Sequence, residues 1–529
     1  MSVPSEDRGL FPAAFIYYLI LTTMTCGALV MVVEVLGSRV IGPFFGVSLF
    51  VWTSLITVTL VALAAGYAVG GIISDRRESP DYLYAIILVA GFLVMVIPLM
   101  KSAVLKFCLP LGLRSGAFMS SLTLFGPPLF MLGCVSPYII KIAAREMKNI
   151  GRTVGLFYAV STAGSFIGTV LTGFVFIAYF GVGRIFEVTG FILICLSIIY
   201  FLFFRKKWFF LLLLAVPFFL FHTEVLKSKV MPNGTRVTEV FSKDSFYGKL
   251  KVVDYSYGTA HTRELIIDGM IQGGIDVNIG MSVYEYSYLM QFLPYGLNPS
   301  GKNCLVIGLG AGITPMWYEK MGIKTDVVDI DPDVVDAAKK YFGFNLSGDM
   351  IISDARYYLN TTGRNYDYII LDVFNGDTTP AHILSIEALR LVKARLTENG
   401  ILAMNLAGSL RRETFMTASI IKTLEQIFSA VEIYPLFSPE EGEGYGNLAI
   451  IAHSRAAMAF NPEIVRTFPV HPFVDQTVRE RLGRKFHFAG GTPAIVLSDD
   501  YNPIDFYDSW LKEKVRKNIL ENTDWDILI

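Results

Sequence analysis

Charge is scarce in this chain. Of its 529 residues only 17% are Asp, Glu, Lys or Arg, against about 25% in an ordinary soluble domain, which excludes a wholly water-exposed enzyme. Cysteine is scarce too: Cys26, Cys108, Cys134, Cys195 and Cys304 stand apart from one another. With no CxxC or Cys/His spacing, neither a disulfide framework nor a zinc site is expected, and no metal is assigned. The sequence has no GxxxxGK[ST] loop, so P-loop phosphoryl transfer is excluded. A basic excess is also missing, the formal net charge being −1, and with it the footprint of a nucleic-acid binder. Hydrophobic residues at 53% and aromatic residues at 13% exclude a disordered or collagen-like chain.

The charge that is present is unevenly placed. Residues 1–229 hold 17 Lys and Arg against 9 Asp and Glu, whereas the remainder holds 28 against 37. Near-neutrality is therefore a cancellation between a basic half and an acidic half. The expected organisation is a multi-span transmembrane domain over 1–229, a small β unit and linker over 230–300, and a Rossmann-like catalytic domain of the class I methyltransferase type over 301–529.

In the first half, apolar runs occupy residues 11–33, 47–73, 82–100, 117–140, 153–180 and 185–204. Each approaches or exceeds the ~18 residues that cross about 30 Å of hydrocarbon, so six spans are expected. A seventh run, 208–222, is short and contains Pro217; it is read as not fully crossing. The first run is too long, and lacks the cleavage region, for a removable signal peptide. Arg8, Arg76, Arg77, Lys141, Arg145, Lys148, Arg152, Arg205, Lys206 and Lys207 fall in alternate loops, and basic loops stay cytoplasmic. The expectation is thus a multi-pass cell-membrane protein whose N-terminus and catalytic domain are cytoplasmic, with the lipid bilayer as a partner. Glu34 and Arg39 are the unusual charges, either interfacial or on a polar path. The stretch from Gly66 to Arg77 puts small residues at helix-packing spacing before a charged loop, and resembles the loop between the second and third helices of major facilitator transporters.

After Lys229 the pattern changes to short strands, turns and amphipathic helices. Residues 249–254 and 263–268 read as strands of the small β unit. Strands are then expected at 303–307, 325–328, 350–353, 368–371 and 401–405, alternating with helices. Such alternation predicts a parallel sheet with ligand at the carboxyl ends of its strands. Gly308, Gly310 and Gly312 follow the first of these strands, where glycine permits a tight turn and close approach to a ligand. Asp329 ends the second strand and is placed to accept ribose hydroxyls. Asp354 and Ala355 follow the third, where the Asp would accept from an adenine amino group or cap a helix. Asp372 ends the fourth, and Asp331 before Pro332 suits a helix cap. The glycine loop lacks the third dinucleotide glycine, and no second nucleotide-binding half follows. An adenosyl sulfonium compound is therefore favoured over NAD.

These residues resemble the polyamine aminopropyltransferases, the spermidine synthase family, and in particular its membrane-fused branch. The matching blocks are Ser245-Phe246-Tyr247-Gly248, Leu265-Ile266-Ile267-Asp268-Gly269-Met270-Ile271-Gln272, the glycine loop, Val328-Asp329-Ile330-Asp331, Ser353-Asp354-Ala355 and Leu371-Asp372. The fused branch is suggested by Asp372 to Asp377 leading to Pro380-Ala381-His382, by Ser498 to Pro503, and by Glu34 to Trp52. The resemblance implies aminopropyl transfer from decarboxylated S-adenosylmethionine to an amine such as putrescine. In it Gln272, Asp329, Asp354 and Ala355 hold the nucleoside and Asp372 accepts the proton. A base is needed on chemical grounds as well, because only a neutral amine attacks the carbon beside a sulfonium.

The sequence departs from the family at particular positions. Ala311 stands where soluble relatives have the Asp that holds the aminopropyl amine. The Tyr-His-Glu block becomes Tyr286-Ser287-Tyr288, and Gly248 replaces a Gln. Asn375 replaces the second Asp of the catalytic loop, with Asp377 two residues on. Substrate contacts are expected from Tyr247, Tyr286, Asp377 and Tyr501. His382 is read as an active-site residue or a loop residue, and Asp499 and Asp500 as an amine-binding pair or a turn. Two other readings stand beside the first: an S-adenosylmethionine-dependent methyltransferase, which Ala311 would permit, and a polyamine carrier or sensor with a nucleoside-binding domain. Assembly as a homo-oligomer is expected by analogy with soluble relatives.

Overall fold

The computed structural model describes residues 13–46, 49–146, 149–215, 226–374, 380–455 and 458–522. The chain divides into two compact units, one of residues 1–45 and 50–225, the other of 46–49 and 226–529.

The described residues of the first unit form six long helices: α1 (Ala13–Phe45), α2 (Leu49–Arg76), α3 (Pro80–Cys108), α4 (Gly112–Glu146), α5 (Ile150–Leu171, prolonged by a π-turn to Phe176) and α6 (Val182–Phe203). Among the described residues, five stretches are long and apolar enough to cross a membrane. One of them, Pro80–Ala144, contains both α3 and α4, which a 3₁₀ turn at Leu109–Leu111 separates so that the two helices pack along each other. The helix α1 continues through Glu34 and Arg39 to Phe45, so Glu34 lies within a helix rather than at the end of one. The segment Trp208–Leu214 is a seven-residue 3₁₀ helix, about 14 Å long. Its Phe210 stacks on Phe201 of α6, ring centroids 4.0 Å apart. The rest of the seventh run lies outside the described residues.

Close helix contacts follow from small residues. A Cβ on Gly164 or Gly168 of α5 would strike the carbonyl oxygens of Met24 and Ala28 on α1, and one on Gly66 or Gly70 of α2 would strike Phe130 and Cys134 of α4. This is the backbone approach that small residues allow between apolar helices. Basic loops gather at one end of the bundle. Lys141 pairs with Asp75 at 2.6 Å, and Arg205 pairs with Asp81, while Ser79 caps α3 and Tyr200 donates to Asp81 at 2.6 Å.

The second unit contains two sheets. An antiparallel meander runs in sequence order: β1 (Ser228–Val230), β2 (Arg236–Asp244), β3 (Lys249–Tyr257), β4 (Ala260–Ile267), β5 (Met270–Asp276) and β6 (Met281–Ser282). Helix α7 (Glu285–Leu297) leads into the alternating series. This series comprises β7 (Asn303–Ile307), α8 (Ile313–Lys320), β8 (Lys324–Asp329), α9 (Pro332–Phe342), β9 (Met350–Ile352), α10 (Ala355–Thr361), β10 (Tyr366–Leu371), α11 (Ile386–Ala394), β11 (Leu396–Ser409), α12 (Phe415–Glu425), β12 (Ala430–Pro435) and β13 (Tyr445–His453). Its seven strands are ordered β12-β13-β11-β10-β7-β8-β9. Six run in one direction, but β13 runs antiparallel between β11 and β12, so the sheet is mixed rather than wholly parallel.

Alternate residues of the central strands feed two apolar layers. Cys304, Val306, Tyr368 and Ile370 face one layer, and Leu305, Ile307, Ile369 and Leu371 the other. Burial on both faces is what covering helices require of a parallel sheet. Because β7 neighbours β8 on one side and β10 on the other, the loops leaving β7 and β10 diverge and open a crevice at the carboxyl ends of the strands.

Candidate active site

The crevice between these loops is a cavity of about 280 Å³. From the seven-stranded sheet come Gly308, Gly310, Asp329, Asp331, Ser353, Asp354, Ala355 and Asp372, and from the meander Tyr247, Asp268 and Gln272. Among the described residues five carboxylates line it, Asp268, Asp329, Asp331, Asp354 and Asp372, and no Lys or Arg does. Fixed negative charge in a half-enclosed cleft attracts cationic ligands.

The glycine loop is shaped by protein as well as by any ligand. Gly308 has φ +91° and Gly310 φ +51°, conformations natural to glycine. A Cβ on Gly308 would strike the Asp372 carbonyl oxygen, and one on Gly310 that of Gln272. Removing these two side chains thus lets β10 and the meander close on the loop from opposite sides. Gly312 caps α8 and packs on Phe344 rather than lining the cavity.

Asp329 ties the loop to its strand. Its carboxylate accepts from the backbone N–H groups of Leu309 and Asp331, both at 2.8 Å, and burial raises its pKa to about 6. Asp331 caps α9 by accepting from Asp333 N–H at 2.9 Å and also accepts from the Ser245 hydroxyl at 2.6 Å. Ser245 in turn accepts from the N–H groups of Tyr247 and Gly248. This chain of bonds sets the Tyr247 loop at the cavity edge. Asp354 caps α10 through Tyr357 N–H at 2.9 Å and faces His382 Nε2 at 3.4 Å; both of its expected roles remain available. His382 lines the cavity.

Asp372, at the end of β10, lines the cavity. Burial raises its carboxyl to about 6, while Asn405, donating from Nδ2 at 2.9 Å, opposes the rise. Burial, then the charge of Asp372, pushes the Tyr286 phenol upward. A Cβ on Gly273 would lie 3.1 Å from the Ala311 methyl and 3.5 Å from Tyr286 Oη, so both side chains flank Gly273 of β5.

The family comparison coincides with this geometry: residues 284–460 match the spermine/spermidine synthase domain. The match takes in about a third of the chain, from the start of α7 to just past β13. An N-terminal histidine N-methyltransferase from Emericella nidulans is 35% identical over 157 residues, covering 28% of this chain and 28% of that protein. A polyamine aminopropyltransferase from Vibrio vulnificus is 32% identical over 164 residues, covering 29% of this chain and 51% of that protein. The chain spans about half or less of the length of these two curated relatives. Among solved structures, a probable spermidine synthase from Corynebacterium glutamicum aligns at 17% identity and TM-score 0.38, over 56% of this chain and 95% of that one.

Within the spermidine-synthase-like unit, Gln272, Gly308, Gly310, Asp329, Asp354, Ala355, Asp372 and Tyr247 converge on one cavity. Tyr501 does not: it is exposed, outside the cavity lining, in a turn closed by Ser498. Asp499 is not a spare amine-binding charge, because Arg356 grips it with both guanidinium arms and holds its carboxyl down at about 2. The Ser498–Pro503 block instead braces the His382 turn, Asn502 donating to the Ala381 carbonyl at 2.7 Å and Arg356 to that of His382 at 3.2 Å. Asp377 lies outside the described residues. Sequence reasoning passed over Asn405; its only signal is a polar residue inside the apolar run Leu402-Ala403-Met404-Asn405-Leu406.

Proposed function

We propose that this protein is a membrane-tethered aminopropyltransferase that moves an aminopropyl group from decarboxylated S-adenosylmethionine to a small amine. The observation that carries the proposal is the cavity's charge: among the described residues five carboxylates and no Lys or Arg line it, and burial raises the pKa of one of them, Asp372, to about 6. A sulfonium donor and an amine acceptor are both cationic and suit such a lining. The donor supplies a carbon made electrophilic by the sulfonium. Asp329 and Asp354 would hold the nucleoside, each keeping lone pairs beyond those given to the backbone. Asp372 would take the acceptor's proton, its raised pKa narrowing the gap to an ammonium while leaving it ionised at neutral pH. The apolar exterior of the helical unit supports anchoring in lipid, and the basic residues Arg76, Arg77, Lys141, Arg145, Arg205, Lys206 and Lys207 in alternate loops support a cytoplasmic second unit.

A second reading keeps the cavity and changes the transferred group. Ala311 and the Emericella relative, a methyltransferase by name, favour S-adenosylmethionine and methyl transfer. The deciding experiment offers purified protein each sulfonium donor with a panel of amines and identifies the nucleoside released. Methylthioadenosine is the expected product; adenosylhomocysteine without methylthioadenosine would overturn the first reading in favour of the second.

A further inference from the structure

We infer that the helix Ser509–Asn522, outside the region matched to the family, positions the nucleoside-binding lip of the cavity through Arg516. The inference rests on the proposed nucleoside site and adds a positioning residue to it.

The lip is the β4–β5 hairpin, which contributes Ile267, Asp268 and Gln272 to the cavity. Its turn has φ +47° at Asp268 and φ +78° at Gly269, the two left-handed residues of a type I′ turn. A left-handed aspartate persists when its surroundings hold it, and here three bonds do so. The Asp268 carboxylate accepts from Lys249 N–H at 2.8 Å, the Asp268 N–H donates to the Lys249 carbonyl at 3.0 Å, and the Asp268 carbonyl accepts from Arg516 Nη1 at 2.7 Å. The first two belong to the meander itself. The third arrives from 248 residues away, from an arginine only 2% exposed.

The same helix is fastened to the other sheet. Lys514 pairs with Glu443 at 2.8 Å, and Trp510 meets Tyr445 edge-on with ring centroids 5.7 Å apart. It is therefore a strut between the strand that begins at Tyr445 and the hairpin at the cavity. A buried arginine is a costly way to fill space, since apolar side chains of similar volume do so at less expense in desolvation. What its planar fork supplies is a directed donor at fixed reach. A shift of the hairpin would carry the Gln272 carbonyl away from Gly310, against which it is packed, and would change the lip without touching Asp372.

The test compares the full-length protein with Arg516→Met, which keeps the stem and loses the fork, and Arg516→Lys, which keeps a charge and a donor. Calorimetric binding of methylthioadenosine and separate KM values for donor and acceptor amine are measured. Arg516→Met is expected to weaken methylthioadenosine about tenfold and raise donor KM in parallel, with kcat and acceptor KM within about twofold and partial restoration in Arg516→Lys. Unchanged nucleoside affinity in both variants would overturn the inference, as would a loss of donor KM, acceptor KM, kcat and melting temperature together. If Arg516→Met does not fold, the Lys variant decides by the same criteria. Failure of the parent protein to bind methylthioadenosine would instead defeat the nucleoside site on which the inference stands.

Discussion

In the helical unit Leu60, Phe166 and Phe174 are 62%, 69% and 75% exposed, while Gly164 and Gly168 press against the backbone of α1. In the second unit the order is reversed: Leu305, Val306, Ile369 and Ile370 are sealed between helices, and carboxylates crowd a single cleft. Similar apolar side chains thus face outward in one unit and inward in the other. Water drives apolar groups inward in the second unit, whereas in the helical unit small residues bring helix backbones together. The cost of a polar group follows the same division. In the helical unit Lys141–Asp75 and Arg205–Asp81 pair at helix ends, whereas in the second unit burial raises the pKa values of Asp329 and Asp372.

The comparison breaks most visibly at Asp372. Asp372→Asn should lower turnover about 10²–10⁴-fold and leave methylthioadenosine affinity within a few-fold; retained turnover would remove Asp372 as the base. In the parent, kcat should fall as pH drops through about 6, where Asp372 becomes protonated. The stability effect has the opposite sense. A carboxyl whose folded pKa lies above its unfolded value binds more protons when folded, so its contribution is fully present below about pH 4 and lost as pH rises through 6. Asp372→Asn should therefore be more stable to unfolding than the parent at pH 7.5 by roughly 1–2 kcal/mol, with no advantage at pH 4.

Packing substitutions come next in size. Leu305→Ser in the sheet should cost about 3 kcal/mol or more, as measured by unfolding of the folded unit. Leu60→Ser on the outer face of α2 should change stability in detergent by less than about 0.5 kcal/mol. Equal losses at the two sites would end the distinction between them. Gly164→Val, which thrusts a side chain into the α1 backbone, should destabilise the helical unit by roughly 1–3 kcal/mol.

The smallest effect sharpens the cavity itself. Asn405→Ala removes the bond that opposes the rise of the Asp372 pKa. The acidic limb of the pH–rate profile should move upward by several tenths of a pH unit and turnover at pH 6 should fall a few-fold. An unmoved limb would show that Asn405 does not tune the base.

Much of this architecture was legible because it is periodic or local. Apolar runs mark the six helices, and short β-type runs mark the five parallel strands. Asp268-Gly269 announces a hairpin turn, and Asp331-Pro332 announces a helix cap, since a capping carboxylate acts within three residues of itself. Other features escaped because their partners are distant in sequence. The strand β13 is inserted between two others and could not be ordered from its own residues. Tyr501 and Asp499 occupy a block resembling the family's, yet Arg356, 143 residues from Asp499, turns that block into a brace.

The sequence by itself determined the two chemical halves, the strand and helix periods, and which residue types end the strands, because these depend on local pattern and composition. Only the tertiary structure decided that Asn405 touches Asp372, that Gly308 and Gly310 admit two other backbones, and that Arg516 reaches the lip. Those outcomes depend on which surfaces meet, and burial, which sets the pKa values of Asp329 and Asp372, does not exist until they do.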